Sequence, residues 1–141
     1  MDYAMIGPAL ALGLGCIGSS IGCGIACMAS HAIMSRVEEN HGTFIGMSVV
    51  PASQSIYGLV LMILMKSSIL AGTLTPLSGI GIGIASGLAL MISSIYQGMC
   101  AATGIQAAAK QPAIIGKCMA ALGIVETFSL FAFVFAILLM S

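Results

Sequence analysis

Charge interrupts this chain at few places, and the uncharged runs between those places set its elements. Residues 3–30 carry no charge. A polar stretch follows from His31 to Gly42, with Arg36, Glu38, Glu39 and His41. Residues 43–65 are again uncharged and stop at Lys66. Residues 67–109 are an uncharged run of 43 residues, about twice the 20 that a helix needs to cross hydrocarbon. Inside that run, Gly72, Thr73, Thr75 and Pro76 mark a short loop. A second polar stretch, Gln106 to Lys117, holds Lys110 and Pro112. The pattern predicts an all-α membrane protein with spans at about 4–30, 43–65, 77–104 and 118–140. These pair into two helical hairpins, residues 1–70 and 71–141.

The hairpins repeat each other. A shift of 74 positions lays the first span on the third. Gly7 then falls on Gly81, Ala11 on Ala85, Gly13 on Gly87 and Leu14 on Leu88. Ser19, Ser20 and Ile21 fall on Ser93, Ser94 and Ile95, and Gly24 falls on Gly98. Both copies point the same way, so the duplication is parallel, unlike the inverted repeats of many transporters. The first span carries Gly7, Ala11, Gly15, Gly22, Ala26 and Ser30, close to every fourth position. The third carries Gly79, Gly83 and Gly87. Small residues at that spacing let helix backbones approach closely in lipid. The expectation is a crowded inner layer of the first and third spans. The second and fourth, with Phe128, Phe131, Phe133 and Phe135, would lie outside.

Composition agrees with the pattern. The chain is 60% hydrophobic and 6% charged, with a mean hydropathy of +1.16. A soluble domain carries roughly 25% charged residues, so lipid is the natural solvent. The net charge is zero and no basic run exists, which argues against nucleic acid as a partner. The run from Tyr3 to Ser30, preceded only by Asp2, is too long and lacks the basic start of a signal peptide; it reads as a retained span. Arg36, Lys110 and Lys117 lie at one pair of span ends and Lys66 at the other. The positive-inside rule therefore puts both hairpin loops in the cytoplasm and both termini outside. Without Trp, the interface anchors expected are Tyr3, Tyr57, Tyr96 and Phe44. Cys16, Cys23, Cys27, Cys100 and Cys118 all fall in apolar runs and read as packing residues. His31 and His41 read as solvated loop groups.

Against this background Glu126 stands out. It lies eight residues after Cys118 and fourteen before Met140, near mid-membrane. A charge there costs between about 2.5 and over 10 kcal/mol. Such a group is protonated, paired or bound to a cation, and no Lys or Arg lies at matching depth. Polar groups do share its depth: Ser53, Gln54 and Tyr57 in the second span, and Gln97 in the third. At a shift of 72, Gln54 is the repeat counterpart of Glu126. Pro51 lacks an amide hydrogen, so backbone oxygens near it can face a cavity. Two amides, a hydroxyl, a backbone carbonyl and a carboxylate make a set of hard oxygens suited to a cation. One carboxylate balances one monovalent ion.

These features together resemble the proteolipid (c or K, rotor-ring) subunits of V-type ATPases, over the whole chain. The motifs are Pro-Ala-Ser-Gln-Ser-Ile-Tyr-Gly at 51–58, Tyr-Gln-Gly at 96–98 and Leu-Gly-Ile-Val-Glu-Thr at 122–127. They are most similar to those of bacterial sodium-translocating members. The resemblance implies a sodium site made by Glu126, Gln54, Gln97, the Ser53 hydroxyl and the Val50 carbonyl, with Tyr57 hydrogen-bonded to the carboxylate. Ser53 stands where the sodium-type pattern has threonine; the hydroxyl is kept. It further implies a homo-oligomeric ring in the bacterial inner membrane, facing a stator (a or I) subunit and joined to central-stalk subunits. Transported sodium, or a proton, is the cargo, and no cofactor is expected. The chain has no GxxxxGK[ST] loop, so ATP would be handled by other subunits. Two rival readings stay open. A proton-coupled multidrug exporter would carry its acid in the first helix among aromatics. A structural proteolipid would need neither Gln54 nor Gln97 at depth.

Overall fold

The computed structural model describes residues 3–140; Asp2 lies outside them. Four helices in it are long and apolar enough to cross a membrane: Ile6–Met34, His41–Leu70, Pro76–Lys110 and Pro112–Leu138. They are called here the first to fourth spans. All four are longer than the spans expected from the sequence, because the helices stop at local chain signals. The third span is the clearest case. Thr75 caps it, its Oγ1 accepting from the Ser78 amide at 3.2 Å, and Pro76 occupies the first turn. At the other end Gln106–Lys110 continue the helix well past position 104, since Ala, Gln and Lys are good helix formers. It stops at Gln111, which Pro112 holds out of the helical region at φ −141°, ψ 84°. At 1.5 Å per residue its 35 residues extend roughly 50 Å.

The second span is broken where Pro51 removes an amide hydrogen. An α-helix over His41–Val49 passes through a single 3-10 turn, Val50–Ala52, into a second α-helix, Ser53–Leu70. Its far end closes on Gly72, whose φ of +77° favours glycine. The amides of Ala71 and Thr73 return to the carbonyls of Ser67 and Ser68.

The first and third spans share the most extensive interface, and the second and fourth flank them with little mutual contact. Glycine makes the inner contact possible. A Cβ on Gly22 would strike the backbone of Ser94, and one on Gly98 would strike Gly22. Gly7 meets Gly79 and Gly83 in the same manner near the other end. Backbone-to-backbone packing of this kind gains dispersion without losing side-chain entropy in lipid. The outward surface is largely aliphatic and aromatic, including Phe128, Phe131 and Phe135. Such a surface suits acyl chains, and the protein is an integral, multi-pass membrane protein. Phe44 departs from its expected place. It is buried, packed with Met47 against Ala26, Ala101 and Ile105. The small residues at that end leave a space between the inner spans, and an aromatic ring fills it in place of anchoring an interface.

Candidate functional site

The 3-10 turn sets the site. It turns the Pro51 carbonyl to a contact across the bundle and leaves the Val50 carbonyl and the Ser53 hydroxyl bonded to each other within the span. The Val50 carbonyl accepts from Ser53 Oγ at 3.1 Å. The Pro51 carbonyl accepts from Ser94 Oγ of the third span at 2.7 Å. Ser53 Oγ also lies 3.2 Å from Gln54 Oε1.

Gln54 and Gln97 are both fully buried, and each amide is satisfied. Gln54 Nε2 donates to Gln97 Oε1 at 3.0 Å and to Ser129 Oγ at 3.1 Å. Gln97 Nε2 donates to the Leu122 carbonyl at 3.1 Å. An orphaned buried amide would cost about 1–3 kcal/mol, and no buried polar side-chain atom among the described residues lacks a partner. The layer therefore joins the second, third and fourth spans through hydrogen bonds.

Glu126 is half-buried at the same level. The Tyr57 hydroxyl donates to its Oε1 at 2.7 Å, a short hydrogen bond. The Tyr57 ring is fixed in turn by Phe133, with centroids 5.5 Å apart. Tyr57 is thus part of the site and not an interface anchor. Ser129 ties the carboxylate's own turn to the amides. Its hydroxyl donates to the Glu126 backbone carbonyl at 2.7 Å and accepts from Gln54. Sequence reasoning passed over Ser129 and Ser94. The signal was there for both: Ser129 lies three residues after Glu126, on the same helix face, and Ser94 belongs to the repeated Ser-Ser-Ile.

The structure thus brings Val50, Ser53, Gln54, Gln97, Tyr57 and Glu126 into one mid-bundle layer. Most of its inward groups are oxygens: carbonyl, hydroxyl, amide and carboxylate. Such a layer can hold a hard monovalent cation or a carboxyl proton; it has no nucleophile–base pair and no phosphate-cradling loop.

Two copies of one hairpin around a single mid-depth carboxylate define a duplicated membrane proteolipid. The family model for the ATP synthase C subunit matches the chain twice, over residues 6–65 and 80–139. The matched stretches start 74 residues apart, the shift that aligns the first and third spans. A subunit K of A-type ATP synthase from Methanocaldococcus jannaschii is 33% identical over 135 residues, covering 96% of this chain and 60% of that protein. A subunit K of V-type sodium ATPase from Enterococcus hirae is 30% identical over 142 residues, covering 99% of this chain and 90% of that protein. The chain belongs to the family of ATP synthase C subunits, among the V/A-type c/K proteolipids.

Proposed function

We propose that this chain is a rotor-ring subunit that carries sodium ions across the membrane by reversible binding at Glu126, coupled to ATP hydrolysis or synthesis by other subunits. The observation that carries this reading is the oxygen layer itself. A carboxylate that only bound a proton would need one acceptor and a path to water. Here Glu126 shares its depth with the Val50 carbonyl, the Ser53 hydroxyl and the oxygens of Gln54 and Gln97, and Tyr57 holds it in place. Oxygens from three spans can replace a hydration shell. The name of the Enterococcus hirae relative, a sodium ATPase subunit, supports the same ion.

In this mechanism the single Ser53 hydroxyl hydrogen stays on one of the two oxygens it can reach, Gln54 Oε1 or the Val50 carbonyl, and an arriving ion takes the lone pairs that this leaves open on both oxygens. Tyr57 keeps the carboxylate from swinging out. Loss of that bond as the subunit passes a cationic stator group would release the ion to the other side. Several copies form a ring turned with the central stalk, and the stator (a or I) subunit supplies the two half-channels. The loops after the first and third spans face the cytoplasm, and the membrane is the bacterial inner membrane.

The test is carbodiimide labelling of the isolated protein. The reagent attacks a protonated carboxyl. Labelling confined to Glu126 and slowed by sodium at constant pH supports sodium transport. Labelling that responds to pH and ignores sodium assigns the site to protons. No reaction at Glu126 removes the ion-carrier reading.

A further inference from the structure

Gln54 and Glu126 are repeat counterparts, and each is followed three positions later by a hydroxyl: Tyr57 after Gln54, Ser129 after Glu126. The two hydroxyls cross over. Tyr57, on the second span, donates to the Glu126 carboxylate on the fourth at 2.7 Å. Ser129, on the fourth, accepts from the Gln54 amide on the second at 3.1 Å. Each half of the repeat thus holds the polar side chain of the other half. Ser129 is as fully buried as Gln54 and Gln97.

The direction of the bonds among these groups is fixed from both ends by groups that only accept. A backbone carbonyl has no hydrogen to give. The Leu122 carbonyl therefore requires the NH2 group of Gln97, which donates to it at 3.1 Å. That turns Gln97 Oε1 towards Gln54, whose Nε2 donates to it at 3.0 Å. At the other end the Glu126 carbonyl takes the Ser129 hydrogen at 2.7 Å. With its one hydrogen committed, Ser129 Oγ has only lone pairs left for Gln54, and it takes the second Nε2 hydrogen. The chain of bonds starts and ends on carbonyls of the fourth span, at Leu122 and Glu126, four residues and about one helical turn apart.

The consequence is electrostatic. Gln54 Oε1 lies 3.2 Å from Ser53 Oγ. An amide turned round would put N–H hydrogens there and repel a cation. Ser53 could accept such a hydrogen, so nothing on that side prevents the turn. Gln97 opposes it with one bond and Ser129 with the other. We infer that Ser129 is a positioning residue for the ion: by taking the second Gln54 hydrogen it keeps Gln54 Oε1 facing the site, and so sets the preference for sodium over a proton. The inference rests on the sodium reading proposed for this layer and adds a residue to it. A proton on Glu126 needs no oxygen from Gln54, so loss of the Ser129 hydroxyl falls on sodium and spares the proton.

The test compares the parent, Ser129→Ala and Ser48→Ala by carbodiimide labelling of Glu126, across sodium concentration and across pH. Ser48 is also a buried serine, bonded to Ser30 and to the Phe44 carbonyl away from this layer; it reports what loss of any buried hydroxyl does. In Ser129→Ala the sodium concentration for half-protection is expected to rise roughly 10-fold, as for one buried donor left without its acceptor. The pH midpoint of labelling without sodium is expected to stay in place. Ser48→Ala should leave both midpoints where they are. Ser129→Cys, close in shape with a weaker acceptor, should fall between parent and Ser129→Ala, and it carries the test if native mass spectrometry shows that Ser129→Ala does not assemble. Unchanged sodium protection in the Ser129 variants, equal shifts of the sodium and pH midpoints, or the same loss in Ser48→Ala overturns the role given to Ser129 and leaves sodium transport standing. A parent that sodium does not protect overturns both.

Discussion

At the residue scale the site hinges on one hydrogen bond and one charge. Glu126→Gln keeps the shape and removes the charge, so it is expected to abolish sodium-protected carbodiimide labelling and ion transport while leaving assembly intact. Native mass spectrometry and labelling on one preparation check both parts. Tyr57→Phe keeps the ring on Phe133 and removes only the hydroxyl that reaches Glu126 at 2.7 Å. A hydrogen bond to a charged group is worth about 1.5–3 kcal/mol, and 1.4 kcal/mol is tenfold in affinity. The sodium concentration giving half-protection is therefore expected to rise roughly 10- to 100-fold. An unchanged midpoint would show that Tyr57 does not hold the carboxylate in the bound state. Much of this layer was legible in the sequence, because an intramembrane acid or amide is costly enough to announce itself. Ser94 and Ser129 were not read, because serine is cheap in a helix: its hydroxyl can satisfy itself on its own backbone, as Ser86 does on Ile82. Sequence position narrows the choice, and the structure shows which serines reach across.

At the element scale, the proline turn and the glycine contacts do the positioning. Pro51→Ala restores an amide hydrogen and lets the second span run as continuous α-helix. That turns the Val50 carbonyl back along the helix axis and takes the Pro51 carbonyl from Ser94, 2.7 Å away. Sodium protection is expected to weaken while labelling of Glu126 without sodium persists; equal protection in the variant and the parent would rule the turn out of ion binding. Gly22→Leu acts differently. Its side chain would enter the backbone of Ser94 and the ring of Pro51, so the first and third spans must separate. Overpacking costs about 1–3 kcal/mol in ordinary cores, and a backbone contact has no side chain to give way. A loss of about 3 kcal/mol or more is expected, seen as a lower thermal midpoint in detergent. Span number and span order could be read from charge and hydropathy alone. Span ends could not: the helix runs on from Gln106 to the charged Lys110, because leaving hydrocarbon does not end a helix and Pro112 does. Phe44 misled for a related reason. Its sequence position suggested an interface, while the small Ala26 and Ala101 that admit it to the core lie on other spans.

At the scale of the whole molecule, orientation decides from which side Glu126 would exchange the ion proposed for it. The chain carries four Lys and Arg residues, and their placement sets the vote. Arg36, Lys110 and Lys117 cluster at one end and Lys66 stands at the other. The bias is nonetheless placed where it counts, since Lys and Arg within about 15–20 residues of a span end set topology. The fold sharpens the vote. The third span ends at Lys110 and the fourth begins two residues later at Pro112, so a short turn keeps Lys110 and Lys117, in the fourth span's first helical turn, at one end of the bundle. Arg36 lies in the loop between the first and second spans at the same end of the bundle. Three cations fixed at one face outweigh a single Lys66 on the opposite one. Glu39→Cys and Thr73→Cys mark the two ends, and both positions are exposed. In intact cells a membrane-impermeant maleimide is expected to label Thr73→Cys and to spare Glu39→Cys; inverted vesicles should reverse the pattern. The opposite result would invert the whole chain, and with it the side from which each carboxylate would load in the proposed mechanism, because a parallel repeat cannot turn one hairpin without the other.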